Sequence, residues 1–278
     1  MTGLAFSGGA AFGAYQAGVW LELEARGWKP DVVSGISIGG VNAYLAAHGV
    51  TAAEMLAVWA EWPAELLPGR ERTSGPPWAA QTPMFLAWVD RIVESFERRP
   101  LVSRLRLVAL EASTWRRVVF EDEQVGREQL LAACALPGVL PPVKIDGRRL
   151  IDSGVLRYEP IRECLEAGAD ELIAVDLLEK HPFPPARWAR KSILATLDWM
   201  RDERSEPGAA ELVGVQLLKI GHPQLLGSVR DSFRWSRASA DRLIATGRQD
   251  ARERLSRQAK TAAAMHSSQP EPVSAAPQ

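Results

Sequence analysis

Residues 35 to 39, Gly35-Ile36-Ser37-Ile38-Gly39, set a serine between two glycines in the G-x-S-x-G spacing of a nucleophile elbow. The preceding "PDVVSG" reads as a strand and the following "GGVNAYLAAHG" as a helix, which is the context that spacing requires. A serine on so sharp a turn stands out from the sheet edge, and the first helical turn aims its N–H groups and positive dipole end at the hydroxyl. Ser37 is therefore the candidate nucleophile, with Gly35 and Gly39 leaving room for the crowded backbone. The plainer reading is a Gly/Ser turn that lets helix and strand pack closely.

A serine hydroxyl needs a base to take its proton, and histidine is the usual one. The four histidines are poorly placed for it. His48 stands one helix after Ser37 as a helix-end residue, His181 and His222 each precede a proline in loops, and His266 is in the C-terminal tail. A surface role suits each of them better. A carboxylate is the better candidate: "RRLIDSGV" puts Asp152 at the end of an apolar run and just before a Ser-Gly turn. Removed from water, such an acid has a raised pKa and becomes a usable base. Asp before Ser-Gly is also a common turn former, and a Ser-His-Asp arrangement through His222 stays open. Upstream, "FSGGAAFGAYQAG" at residues 6 to 18 is either an ordinary turn after a first strand or a run of backbone N–H groups able to approach a developing anion.

These residues must be held by regular elements, and the pattern of the first fifty residues is strand, helix, strand, helix, which argues for a parallel α/β sheet. "AAEMLAVWAEW" reads as a helix, and the Pro-, Gly- and Arg-rich residues 65 to 82 as a loop or cap. "LRLVALEAST" and "RRVVFED" read as strands, "REQLLAACAL" as a helix, and "VKIDGRRLIDSGV" as a hairpin turning at Asp146-Gly147. "PIRECLEAGADELIAVDLL" predicts a helix and then a strand, and "ELVGVQLLKI" another strand. The Arg-rich stretch from 228 to 260 reads as a helix with a solvated outer face or, alternatively, one that meets anionic lipid. The chain is expected to form one domain over residues 1–260 with a disordered tail at 261–278.

The 278 residues suffice for a substantial core, and the formal net charge of −1 gives no global field for nucleic acid. No apolar run is long enough to span a bilayer, and the start of the chain lacks the basic flank of a signal peptide, so a cytoplasmic location is expected. Cys134 and Cys164 have neither disulfide-framework nor metal-site spacing and read as free core thiols. No metal or organic cofactor is expected. Trp59, Trp62 and Trp88 read as packing residues, and Trp78, in the loop, as a candidate for an acyl site or cap.

Taken in order, Gly8-Gly9-Ala10-Ala11-Phe12-Gly13, Gly35-Ile36-Ser37-Ile38-Gly39 and Asp152-Ser153-Gly154 resemble the patatin-like phospholipase family, and "ACALPGVLPPVKIDGRRLIDSGV" is similar to its segment leading into the catalytic Asp. The resemblance covers roughly residues 3 to 180. It implies a three-layer sandwich with a central, mostly parallel sheet, and a Ser37–Asp152 dyad without histidine. It also implies an oxyanion hole of backbone N–H groups at Gly8, Gly9, Ala10 and Ile38, and a lipid or other carboxylic ester as substrate, with peripheral contact to a membrane surface as one consequence. Two residues depart from the family's glycine run, which commonly has Gly at position 10 and Arg or Lys at position 12. Ala10 fits if its φ is negative, and Phe12 removes a cation, which leaves room for a catalytically silent relative that binds lipid or a partner. The oligomeric state is not legible.

Overall fold

The apolar runs "TGLAF" and "ELIAV" become strands buried on both faces, as the central strands of a parallel sheet must be. The computed structural model describes residues 1–61, 82–156, 159–177, 207–208, 210–233 and 235–267, side chains at 82, 156, 229–230 and 262–267 excepted. Most of the 65–82 loop, Trp62, Trp78 and His181 lie outside the described residues, as does the side chain of His266.

The strands are β1 (Thr2–Phe6), β2 (Val32–Ile36), β3 (Arg104–Glu111), β4 (Arg117–Glu121), β5 (Val143–Ile145), β6 (Arg148–Asp152), β7 (Glu171–Val175) and β8 (Gln216–Ile220). They form one mixed sheet in the order β5-β6-β3-β2-β1-β7-β8, with β4 also pairing β3. β3, β2, β1, β7 and β8 run parallel, while β4, β5 and β6 are antiparallel to their neighbours. The β5–β6 hairpin turns at Asp146 and Gly147, both at positive φ, as the Asp-Gly pair predicts.

Helices cover both faces. Along β1 the side chains alternate, Leu4 and Phe6 entering the main core and Ala5 a smaller cluster with Ile161 and Cys164 of α6 (Ile161–Glu166). The main core lies under α1 (Gly13–Ala25), α2 (Ile38–Ala47), α3 (Ala52–Ala60), α4 (Thr82–Phe96) and α5 (Arg127–Ala133). The expected three-layer sandwich is what forms.

Every residue of α1 from Gly13 to Leu23 is buried, because a second helical layer lies over it. That layer is the C-terminal helix, Arg237–Ser267. Gly18 abuts the backbone of Ile244, and Gly247 abuts the backbone of Tyr15, so closely that a Cβ at either would collide with a carbonyl. Ionic contacts flank the crossing: Glu22 pairs with Arg26, Arg248 and Arg252, and the Tyr15 hydroxyl donates to Asp250 at 2.9 Å. The helix runs through Ser267, beyond the residue at which a tail was expected, and 268–278 lie outside the described residues.

Candidate active site

β3 decides where the two candidate side chains meet. Its residues 106–110 pair with β4 along one edge, so β2, which pairs with 104–108, and β6, which pairs with 109–111, must share the other. β2 runs parallel to β3 and β6 antiparallel, so their carboxyl ends converge: Ile36 lies opposite Val108 and Asp152 opposite Ala109. Ser37 and Asp152 are thus brought together by two adjacent residues of one strand. This is also the carboxyl end of the parallel strands, beside β1, where the strand order reverses and where open α/β sheets place their sites.

Ser37 leaves β2 at φ 52° and ψ −134° and serves as N-cap of α2. Positive φ in a residue with a Cβ is costly, and here it is imposed by the packing around it. A Cβ at Gly39 would strike the carbonyl oxygens of Phe6 and Ser7, and one at Gly35 that of Gly39, so these two glycines let the elbow press against the end of β1. The turn that the G-x-S-x-G spacing predicts is therefore present, in the strained form such elbows take.

Asp152 is 1% exposed and lies beside Ser37: a Cβ at Gly154 would fall 2.9 Å from Asp152 Oδ1 and 3.9 Å from Ser37 Cβ. Desolvation raises its pKa to about 6, against the opposing effects of the Ser37 hydroxyl and of the Gly154 N–H, which donates to Oδ1 at 2.7 Å. The neighbouring Ser153 hydroxyl donates to the Val108 carbonyl, which fixes the turn after β6 to β3. The buried thiol of Cys134 lies near enough to feel the carboxylate, and its pKa is raised by burial first and by Asp152 second.

The segment after β1 lies over the elbow. A Cβ on Gly8 would fall 3.0 Å from Ser37 Cβ and 3.7 Å from its Oγ, so backbone stands where a side chain would block the hydroxyl. Gly9 and Ala10 lead into a short 3₁₀ turn, Ala10–Phe12, which continues directly into α1. Ile38 is the first residue of α2, a position whose N–H has no intrahelical acceptor. Gly8 therefore lies against Ser37, Gly9 and Ala10 follow it toward the start of α1, and Ile38 follows Ser37 into α2. Ala10 has φ +50°, which is not the negative φ expected to make alanine comfortable there. Phe12 is buried in the main core, its ring facing Gly227, so position 12 serves packing.

The histidines stand elsewhere. His222 Nδ1 is 2.8 Å from Asp250 Oδ2, tying the loop after β8 to the C-terminal helix, whereas the acid beside Ser37 is Asp152. His48 ends α2 as expected but is buried against Tyr44, not at the surface; desolvation lowers its pKa. Cys134 and Cys164 are free and buried, and Cys164 Sγ contacts Ser34 Oγ at 3.0 Å. Trp59 and Trp88 pack in the core.

Sequence reasoning missed two features beside the site. One is an acid cluster at the ends of β7 and β8, where Glu159 meets the Lys219 ammonium at 2.8 Å and lies beside Asp176; burial raises its pKa to about 7. The other is the pair of buried amides Gln16 and Asn42. Both were hidden because a polar residue inside a helix or after a strand reads as solvated until the neighbouring element is known. Among the described residues no group of three or more His, Cys, Asp or Glu is arranged to hold a metal, and no helix is long and apolar enough to cross a membrane.

Comparison with known proteins bears on the family and the fold. The chain is 29% identical over 189 residues to an uncharacterized NTE family protein of Mycobacterium bovis, covering 66% of this chain and 31% of that one. It is 26% identical over 186 residues to lysophospholipase NTE1 of Mycosarcoma maydis, covering 63% of this chain and 10% of that protein. The chain thus spans about a third or less of these relatives' length. The structure of human GIVD cytosolic phospholipase A2 in complex with a fluorophosphonate inhibitor shares the fold, with a TM-score of 0.50 at 11% identity over 92% of this chain and 60% of that one. The model of the patatin-like phospholipase family matches residues 4–165, a stretch that holds the elbow, Asp152 and the glycine run, and the chain belongs to that family.

Proposed function

We propose that the protein is a serine hydrolase that cleaves carboxylic esters of lipids through an acyl-enzyme on Ser37, with Asp152 as base. The observation that carries this reading is the juxtaposition of an elbow serine with a carboxylate that is 1% exposed: Ser37 follows Ile36, opposite Val108, and Asp152 lies opposite Ala109 on the same edge of β3. Ser37 Oγ attacks the ester carbonyl carbon while its proton passes to Asp152, whose raised pKa suits it to hold that proton. The carbonyl oxygen becomes an oxyanion and accepts hydrogen bonds from N–H groups of Gly8, Gly9, Ala10 and Ile38. Loss of one such donor typically costs about 3 kcal/mol of barrier. The tetrahedral species collapses, the ester C–O bond breaks, and the leaving alcohol takes the proton back from Asp152. Water then attacks the acyl-enzyme, gives its proton to Asp152 and releases the carboxylic acid, after which the proton returns to Ser37. In this reading residues 1–260 act as one hydrolase domain, with the C-terminal helix supporting α1.

The test is intact-protein mass after exposure to a fluorophosphonate, run on wild type, Ser37→Ala and Asp152→Ala, with acyl-ester turnover measured alongside. An adduct and turnover in wild type only are expected. A folded wild type that forms no adduct and turns over no ester would sink the hydrolase reading in favour of a silent lipid- or partner-binding relative.

A further inference from the structure

The two halves of the proposed machinery stand on different segments: the N–H groups follow β1, and the nucleophile follows β2. The ladder holds them together as far as Phe6 opposite Gly35, and then both chains leave the sheet. Catalytic geometry must be kept within about half an ångström, so something beyond the ladder has to hold the two departing segments in register.

Ser7, the first residue past β1, is fixed on every polar atom. Its N–H donates to Val175 O at 3.1 Å, its Oγ accepts from Leu177 N–H at 2.9 Å, and its carbonyl accepts from Gln16 Nε2 at 2.7 Å. Gln16 lies on α1. Its Oε1 accepts from Asn42 Nδ2 at 2.9 Å, and Asn42 lies on α2, the helix that Ser37 caps. Asn42 Nδ2 also donates to Gly13 O at 3.0 Å, and Asn42 Oδ1 accepts from Trp59 Nε1 of α3 at 3.0 Å.

The direction of this chain of bonds is fixed by its ends. An indole N–H can only donate and a backbone carbonyl can only accept, so each amide has one permitted orientation. Gln16, Asn42 and Trp59 are all 0% exposed. Buried amides cost free energy unless paired, and apolar side chains of the same size would fill this space without that demand. What the amides add is a directional link between the two segments that packing alone does not give.

We propose that Gln16 and Asn42 are positioning residues, which hold the Ser7–Ala10 backbone in register with Ser37 through a closed circuit from β1 to α1 to α2. This rests on the hydrolase reading. With the link cut, the N–H groups remain but drift from where the oxyanion forms, so the chemical step slows while substrate binding does not.

The experiment compares full-length wild type, Ser37→Ala and Gln16→Met in hydrolysis of a p-nitrophenyl acyl ester. Turnover is expressed per Ser37 labelled by fluorophosphonate at completion, so that loss of folded protein is divided out. Gln16→Met is expected to lower kcat per labelled site by about tenfold or more, with KM within about twofold of wild type. A kcat per labelled site within twofold of wild type overturns the proposal, as does a loss carried by KM. Should Gln16→Met not fold, Trp59→Phe, which removes the terminal donor of the chain together with part of the buried indole ring, is judged by the same criteria. A wild type that neither labels nor turns over overturns the hydrolase reading and this inference with it. An active wild type beside an unaltered variant overturns this inference alone.

Discussion

Asp152 holds a negative charge where water scarcely reaches, and that has consequences for both rate and stability. With its pKa raised to about 6, it is protonated and unable to accept the Ser37 proton below that pH. The acid limb of kcat/KM is therefore expected to rise through about pH 6, where an ordinary Asp would place it near 4. The same shift destabilises the fold. The folded state binds this proton more tightly than the unfolded chain, so stability falls as pH rises from about 4 to about 6 and stays lowered above. A shift from 3.8 to about 6 corresponds to roughly 3 kcal/mol. Asp152→Asn is expected to lose turnover yet to gain up to about 3 kcal/mol in urea unfolding at pH 8, with the gain gone near pH 4. A variant no more stable at pH 8 than wild type would contradict the desolvation argument. Ser37 and Asp152 were legible in the sequence because their chemistry depends on local context: a turn between strand and helix, an acid at a strand end. Gln16 and Asn42 were not, because what makes them special is which helix faces which, and no spacing within "AYQAG" or "GGVNAYLAAHG" encodes that.

Among the elements, α1 is the one on which the rest depends. It continues directly from the Gly8–Phe12 segment, and the C-terminal helix clamps it where Gly18 and Gly247 let backbones touch. Gly247→Val would force its side chain into the Tyr15 carbonyl and push the helices apart, at an expected cost of about 2 kcal/mol or more. Urea unfolding of the full chain measures this. A fall in turnover at fixed labelling is also expected, since displaced α1 carries the Ala10 end of the glycine run with it. An unchanged midpoint would mean that the crossing is looser than the geometry shows. The Asp-Gly hairpin and the capping box of α3, Thr51 with Glu54, are local signals, and the hairpin was read from its residues. The apolar stripe of α4, Phe85, Trp88, Val89 and Ile92, follows helical spacing and was equally readable, but no element was assigned there. The burial of α1 on all sides was not readable, since the covering helix is more than two hundred residues downstream.

For the molecule as a whole, alternation of strand and helix pointed to a parallel α/β sheet and the family resemblance to the sandwich, while the sharing of one β3 edge by β2 and β6 emerged only from the pairing register. That arrangement governs how the chain can tolerate insertions and deletions. The interval between Ser37 and Asp152 is measured along β3, as one step from Val108 to Ala109, and not along the 115 positions that separate the two residues in the chain. A single residue inserted between Val108 and Ala109 would move the partners apart by about 3.3 Å and turn one of them to the opposite face. β3 is thus the gauge of the site, although none of its own side chains need take part in the chemistry.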